Sequence, residues 1–166
     1  MDSVQLTDTE SAFLGGTLMG ALPFLIIGFI VYYLLLVFAW WNTFKKAGEP
    51  GWKAIIPIYN VYVMYKLSWK PSMFWVYIVL DLVSQVLYYN VASDGSNDIL
   101  RYVSYVLAII LLVVEIIQLH KLSKAFGHGA GFTIGLIIFN PIFMLILGYG
   151  ASQYKGNPDN QGQLEA

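Results

Sequence analysis

The sequence predicts an all-α integral membrane protein with four spanning helices, because it is strongly apolar and carries four long hydrophobic runs. Of its 166 residues, 58% are hydrophobic and only 11% are charged, whereas about a quarter of the residues of a soluble protein are charged. A helix crosses a bilayer with about 20 apolar residues. The runs that reach this length are residues 21–44, 71–90, 99–120 and 132–151.

These runs divide the chain into three parts. Residues 1–20 form an acidic N-terminal segment, residues 21–151 form a single transmembrane domain, and residues 152–166 form a polar tail that we expect to be mobile. The first run is preceded by acidic residues and by no Lys or Arg. Since a signal peptide begins with basic residues, we expect the first run to remain attached as a helix.

Most of the cations lie in two of the connections between the runs. The connection between the second and third runs contains SDGSND and is acidic. The lysines of the first and last connections are Lys45, Lys46, Lys53, Lys66, Lys70, Lys121 and Lys124. Basic loops stay in the cytoplasm. The sequence therefore predicts that both termini face outward.

The first connection contains an apolar segment, residues 52–67, that is too short to cross. Sixteen residues extend about 24 Å as a helix, and a fifth span here would place the acidic connection inside. We predict a re-entrant or interfacial helical element, in which the amide of Asn60 bonds backbone groups that Pro57 leaves free. The residues expected to shape it are Pro50, Gly51, Trp52, Pro57, Tyr59 and Asn60.

The last connection and the run after it repeat part of this pattern. In each copy a Gly-aromatic pair is followed, after seven further residues, by an Asn close to a Pro. The second copy consists of Gly131, Phe132, Asn140 and Pro141. An internal duplication and a chance match between two apolar runs both explain the pattern. Duplicated halves with interrupted helices surround the binding sites of many transporters.

Three stretches resemble an uncharacterised family of small bacterial polytopic membrane proteins: KAGEPGWKAIIPIYNVYVMYKL, LSKAFGHGAGF and LGYGASQY. Similar segments are found in the membrane domain that precedes the catalytic domain of some bacterial type I signal peptidases. The resemblance is most specific at Gly-x-Pro-Gly-Trp and Ile-Pro-x-Tyr-Asn. It implies that the segment after Trp52 is a feature of the family, that the protein lies in the bacterial cytoplasmic (inner) membrane, and that it works close to protein export. It implies no activity for this chain.

Two carboxylates, Asp81 and Glu115, lie inside predicted spans. An ionisable residue within a bilayer costs several kcal/mol and usually faces the bundle interior or water. Two roles fit them. They either form a path for a proton or cation, or they make structural hydrogen bonds to neighbours such as Gln85 and Gln118. At about 1.5 Å of rise per residue, the two carboxylates are predicted at different depths.

No group of residues predicts catalysis or cofactor binding. The chain has no cysteine, which excludes disulfides and thiolate sites, and its net charge of −1 indicates no nucleic-acid partner. Ser68 and Lys70 are the residue types of a catalytic Ser–Lys dyad. We interpret Ser68 instead as a helix cap, and Lys70 as one of the lysines that keep this loop in the cytoplasm. The GHGAG of residues 127–131 lacks the Lys of a phosphate loop. His120 and His128 lack the further ligands of a zinc site.

We therefore expect a non-enzymatic membrane protein without cofactors or metals. It would be a subunit or docking module of a larger membrane assembly, in contact with the bilayer and with a membrane-protein partner or further copies of itself. The alternative is a small oligomeric transporter or channel for an ion or solute, with Asn60, Asp81, Glu115 and Asn140 along its path.

Overall fold

The computed structural model describes residues 8–93 and 98–161, which form seven α-helices and one short 3₁₀ helix. The α-helices are α1 (Asp8–Lys46), α2 (Pro57–Ser68), α3 (Pro71–Ser93), α4 (Asp98–Ala125), α5 (Ala130–Ile138), α6 (Asn140–Tyr149) and α7 (Pro158–Gln161); the 3₁₀ helix is Gly51–Ala54. Three helices are long and apolar enough to cross a membrane: Met19–Lys46 within α1, Pro71–Val91 within α3, and α4. The all-α fold class is thereby confirmed.

The fourth apolar run is not one continuous helix, which corrects the predicted span over residues 132–151. The chain breaks at Phe139, whose φ and ψ are −123° and 50°. Pro141 lies in the first turn of α6, where its missing N–H leaves no gap in the helix. The rings of Phe132 and Phe143 lie 5.1 Å apart, although a straight helix would separate these residues by about 16 Å. Thus α5 and α6 fold back on each other.

The two ends of this fold-back lie together. His128 Nε2 and Ser152 Oγ are 2.7 Å apart, and the backbone N–H of Lys155 donates to the carbonyl oxygen of Ala125 at 2.7 Å. The chain therefore leaves α4 and returns beside the end of α4. We call residues 128–152 the second hairpin.

The segment after α1 also turns back on itself. The hydroxyl of Tyr33, in the middle of α1, donates to the carbonyl oxygen of Ile55 at 2.7 Å. Near the end of α2, Lys66 Nζ donates to the carboxylate of Glu49 at 2.6 Å. The chain therefore runs back along α1 as far as Ile55 and returns through α2. We call residues 49–68 the first hairpin.

Neither hairpin contains a helix of spanning length. The helices α2, α5 and α6 have 12, 9 and 10 residues, which extend about 14–18 Å. The expectation that residues 52–67 form no span agrees with this length. Pro57, however, is the first residue of α2 rather than a break inside a helix, which corrects its predicted position. At a first-turn position the missing N–H of Pro leaves no helical hydrogen bond unmade.

Both hairpins follow the same type of helix ending. Gly48 after α1 and Gly127 after α4 each have a φ of 78°. In each case the N–H of the next residue donates to the carbonyl five residues earlier, at 2.8 and 2.9 Å respectively, which is the Schellman pattern. The packing is also reciprocal, since α2 lies against α4 and α6 lies against α1. This repeated geometry favours an internal duplication over a chance match.

Most of the positive charge lies at one end of the bundle, where α1, α2 and α4 end, and we call it the basic end. The ninth cation, Arg101, lies near the opposite end and pairs with Asp98. Residues 152–161 also lie at the basic end, whereas α1 begins at the opposite end. The two ends of the described chain therefore lie at opposite ends of the bundle, whereas the sequence prediction placed both termini on one side. The cations of the basic end are Lys45, Lys46, Lys53, Lys66, Lys70, Lys121, Lys124 and Lys155.

The buried core lies near the basic end as well. Its fully buried members come from α1, α4 and both hairpins, whereas residues 19–32 of α1 are exposed on the monomer. The largest apolar side chains that are fully buried are Phe44, Leu122, Leu136, Met144, Leu147 and Val63. The two hairpins thus pack against the long helices in the half of the bundle nearest the basic end. The candidate sites lie in that half.

Candidate functional site

A cavity of about 470 Å³ opens between the two hairpins and the long helices. All six helices from α1 to α6 contribute to its wall, which is mostly apolar. We call it the central cavity. An apolar cavity with a few convergent polar groups is the usual form of a small-molecule site. The residues with polar or aromatic groups in the wall are Tyr32, Trp40, Tyr65, Tyr77, Glu115, Gln118 and Asn140.

Glu115 and Gln118 face this cavity from neighbouring positions on α4. Gln118 is only 6% exposed and its Nε2 donates to Ser68 Oγ at 3.2 Å, while Ser68 Oγ donates to the carbonyl of Met64 at 2.7 Å. This chain of bonds ties α4 to α2. Glu115 is exposed within the cavity, and its carboxylate has no hydrogen bond or ion pair with the described residues. Gln118 therefore has a structural role, and Glu115 is available to a ligand.

Two tyrosines form an aromatic wall beside Glu115. The rings of Tyr65 and Tyr77 lie 5.9 Å apart, and Phe74 packs against Tyr65 with ring centroids 6.3 Å apart. Tyr65 is 4% exposed, so its ring position is fixed by packing. The carboxylate of Glu115 lies close enough to both tyrosines to interact with them electrostatically.

The two asparagines of the repeated pattern have different surroundings. Asn60 is 1% exposed, and its Nδ2 donates to the carbonyl oxygen of Ala54 at 3.3 Å. Its Oδ1 is buried without a hydrogen-bond partner in the described chain. Asn140, by contrast, begins α6 and reaches the wall of the central cavity. Asn60 therefore holds the turn of the first hairpin, while only Asn140 is placed to contact a ligand.

Asp81 is not part of the central cavity. Its Oδ2 accepts a hydrogen bond of 2.6 Å from Gln85 Nε2, one helical turn along α3. The structure therefore does not bring Asp81 and Glu115 into one site. Tyr77, which lies one turn before Asp81 on α3, interacts electrostatically with both carboxylates.

Gly51 of the first hairpin packs against α1, and the aromatic motif residues Trp52 and Tyr59 form a row that is exposed at Trp52 and half-buried at Tyr59. A Cβ at Gly51 would lie 2.6 Å from the Trp41 ring, so only glycine allows this close approach. Pro50 precedes the 3₁₀ helix in extended conformation. Trp52 is 50% exposed, and its ring centroid lies 5.9 Å from that of Tyr59.

The corresponding residues of the second hairpin form no such row. The rings of Phe132 and His128 stack with centroids 4.1 Å apart, while Gly131 is exposed and has open space around it. His128 thus contacts Phe132 and Ser152, and His120 Nδ1 lies 2.9 Å from Thr133 Oγ1. Among the described residues, no cluster of three or more metal-ligating side chains is present.

The basic end is held together by charged side chains. Glu49 accepts hydrogen bonds of 2.6 Å from both Lys53 and Lys66, and these bonds hold the pKa of the Glu49 carboxyl below its usual value. Hydrogen bonding to Glu49 likewise raises the pKa of Lys53. Lys46 Nζ donates to the last carbonyl groups of α6, those of Leu147 at 2.8 Å and Gly150 at 2.7 Å.

Residues 152–161 of the C-terminal tail pack onto this end, contrary to the expectation of a mobile segment, while residues 162–166 lie outside the described part of the chain. Tyr154 OH donates to the carbonyl of Leu67 at 2.9 Å, and burial raises the pKa of this hydroxyl. Asn157 donates to the carbonyls of Lys66 and Trp69, and Asp159 pairs with Lys121. Residues 152–161 therefore join the first hairpin to α4.

Sequence reasoning missed Tyr65, Tyr77 and the docking of the tail. The tyrosines carry no signal beyond being aromatic residues in apolar helices. The tail had a signal in LGYGASQY, because a tyrosine shortly after an apolar run favours packing at an interface. The polar residues at the end of the chain led instead to the expectation of a mobile tail.

Taken together, the long apolar helices and the paired hairpins define a polytopic α-helical protein of membrane-spanning type. The chain belongs to the family of unknown function DUF5684, whose family model matches residues 52–157. The matched region contains most of the first hairpin and all of the second, so it covers the wall of the central cavity except α1. No curated protein and no solved structure matches the chain. The resemblance to an uncharacterised family is thus confirmed, and similarity to signal peptidases gains no support.

Proposed function

We propose that this protein is a non-enzymatic docking module of a larger membrane assembly, in which the first hairpin and the start of α3 receive a spanning helix of a partner protein. The observation that carries the proposal is an exposed apolar groove on a rigid support. Ile58 and Trp75, which are 69% and 62% exposed, form opposite sides of the groove together with Ile56, Tyr59, Tyr62 and Phe74.

The rigid support distinguishes this groove from an ordinary lipid-facing surface. Stacking of Tyr59 on Tyr62, with centroids 6.0 Å apart, and edge contact of Tyr62 with Phe74 at 5.4 Å fix the groove floor. The ends of the hairpin are held by Glu49 and by the tail. Helices associate in a bilayer through close packing rather than through a hydrophobic driving force, so a preformed aromatic groove favours a helix over mobile lipid chains.

For the orientation in the membrane, the proposal places the basic end in the cytoplasm. Eight of the nine cations then lie inside, against seven with both termini outside, because Lys155 joins the inner group. In this arrangement the protein crosses three times, the N-terminus is outside and the C-terminus is inside. Both hairpins are re-entrant from the cytoplasmic side. Backbone groups at membrane depth need partners within the protein, and the carbonyl oxygens of Ala54 and Ile55 accept hydrogen bonds from Asn60 and Tyr33, while the backbone of Phe139 is bonded within the second hairpin. The membrane is the bacterial cytoplasmic membrane.

Site-specific photo-crosslinking tests the docking role. A photoreactive phenylalanine analogue replaces Ile58, in the groove, or Ile109, a control isoleucine of α4 that is 61% exposed. We expect position 58 to crosslink to one membrane protein of defined mass and position 109 to crosslink to lipid alone. Equal protein crosslinking at both positions, or lipid alone at both, would contradict the proposal.

A second candidate function is favoured by the central cavity. A small oligomeric transporter needs a binding site within the membrane, and Glu115 with Asn140 supplies polar groups at such a depth. Flux of a cation into liposomes, abolished by Glu115→Gln, would support this role. Partner crosslinking at position 58 without any flux would favour the docking role instead.

A further inference from the structure

We propose that the central cavity binds a lipophilic organic cation, an ammonium or similar group attached to an apolar body, with Glu115 as its counter-ion. This inference goes beyond the docking role of the groove and does not depend on it. The cavity and the groove have no wall residue in common.

The first argument concerns charge. Glu115 projects into a mostly apolar cavity without a hydrogen bond or ion pair to the described residues. The nearest lysine along α4, Lys121, is paired with Asp159. A carboxylate in apolar surroundings is costly unless a cation or a proton joins it. Because the described chain supplies no such cation, a ligand from outside is the matching partner.

The second argument concerns the walls. Four aromatic residues share the cavity with Glu115, namely Tyr32, Trp40, Tyr65 and Tyr77. Aromatic faces attract ammonium groups, and cages of this kind recognise alkylated amines. A bare metal ion would instead need several oxygen ligands, whereas Glu115 is the single carboxylate that residues 8–93 and 98–161 contribute to the wall. The wall chemistry therefore fits an organic cation better than an inorganic one.

The third argument concerns size and position. The cavity volume of about 470 Å³ lies within the range of about 300–1,000 Å³ that is usual for small-molecule sites. Glu115 is six residues from Lys121, or about 9 Å along α4, so the site lies below the basic end and within the apolar part of the bundle. A ligand there requires an apolar body as well as a charge. An amine-bearing lipid headgroup and a free amphipathic amine both meet this description.

Binding of tetraphenylphosphonium, a lipophilic monocation, to the purified full-length protein tests the proposal. The protein is held in micelles of an uncharged maltoside detergent, and binding is measured by equilibrium dialysis. We expect saturable binding that Glu115→Gln weakens by about tenfold or more, since one ion pair in an apolar site exceeds 1.4 kcal/mol. Asp98→Asn is the matched control, because it neutralises a carboxylate of the same helix about 25 Å from Glu115 along α4, and its affinity should equal that of the parent.

A second pair of variants keeps the test decisive if Glu115→Gln fails to fold. Tyr77→Leu removes the aromatic ring and should bind about threefold to tenfold more weakly than Tyr77→Phe, which keeps the ring. Absence of saturable binding, equal affinity of Glu115→Gln and parent, or equal affinity of Tyr77→Leu and Tyr77→Phe would each overturn the proposal.

The source of the cation is distinguished by competition. Phosphatidylethanolamine or phosphatidylglycerol is added to the micelles before tetraphenylphosphonium. Competition by phosphatidylethanolamine alone supports a lipid headgroup as occupant, while competition by neither lipid supports a free organic cation. Equal competition by both lipids would show that the ammonium group is not recognised and would overturn the proposal. The crosslinking result at Ile58 is independent of these outcomes.

Discussion

Lys46 and Gly150 are 104 positions apart in the chain, yet Lys46 Nζ donates a hydrogen bond of 2.7 Å to the carbonyl oxygen of Gly150. The same ammonium group bonds the carbonyl of Leu147 at 2.8 Å. A cation at the C-terminal end of a helix satisfies carbonyl groups that have no partner within the helix. Lys46 therefore fixes the second hairpin to the end of α1.

Replacement of Lys46 by Met should loosen the second hairpin. The methionine keeps most of the apolar stem but leaves two carbonyl groups without their donor, which costs about 1–3 kcal/mol for a half-buried group. We expect a lower melting temperature in detergent and faster proteolysis after Tyr149. Lys45→Met is the control, because Lys45 is exposed. Identical stability of the two variants would show that the Lys46 bonds do not hold the hairpin.

Replacement of Gly148 by Ala should separate α6 from α1. A Cβ at Gly148 would lie 2.6 Å from the carbonyl oxygen of Ala39, and backbone atoms of two packed helices cannot yield without moving the helices. Overpacking of this kind costs about 1–3 kcal/mol. Gly131→Ala, which has open space around its Cβ position, serves as the control. Thermal unfolding of both variants measures the effect, and an unchanged melting temperature for Gly148→Ala would contradict the close approach of α6 to α1.

Replacement of Asn60 by Leu should destabilise the first hairpin. The change removes the donor to the Ala54 carbonyl, within a site that is 1% exposed. An unpaired buried carbonyl costs about 1–3 kcal/mol, partly offset here because the unpaired Oδ1 of Asn60 is removed as well. Tyr62→Phe, which removes only a hydroxyl, is the comparison. If Asn60→Leu melts at the temperature of Tyr62→Phe or above, the amide does not hold the turn.

The ion pairs of Glu49 predict sensitivity to acid. Lys53 and Lys66 lower the pKa of Glu49 in the folded protein. A lowered carboxyl pKa stabilises the fold above the unfolded value of about 4.3, and this stabilisation is lost as the pH falls through the folded value. The parent should therefore lose more stability between about pH 5 and pH 3 than Glu49→Gln does. If the melting temperatures of the parent and of Glu49→Gln fall equally across this pH range, the assignment of a lowered pKa to Glu49 is refuted.

Cysteine labelling tests the proposed orientation. Single cysteines at Asp98 and Asn160, both exposed, lie at opposite ends of the bundle. In intact cells an impermeant thiol reagent should label position 98, whereas position 160 should react only after permeabilisation. Labelling of both positions from outside would contradict the proposed orientation and would support four spans with both termini outward.

Several features of the fold follow from the sequence alone because they depend on local composition. Long apolar runs predict spanning helices wherever they occur, so α1, α3 and α4 were predictable. The shortness of residues 52–67 predicted an element that does not cross. Gly48 and Gly127 end helices because only glycine readily adopts a φ of 78°.

The tertiary structure decided the path of residues 132–151 and the composition of the central cavity. The composition of twenty apolar residues does not distinguish one spanning helix from two short antiparallel helices. The fold-back depends on Phe143 occupying the space beside Gly135, which is 8 positions away in the sequence. It also depends on the hydrogen bond that the Lys46 ammonium group donates to Leu147, 101 positions away. For the same reason Glu115 and Tyr77 were predictable as residues of spans but not as neighbours. Their proximity depends on how α3 packs on α4, and that packing is a property of the whole bundle.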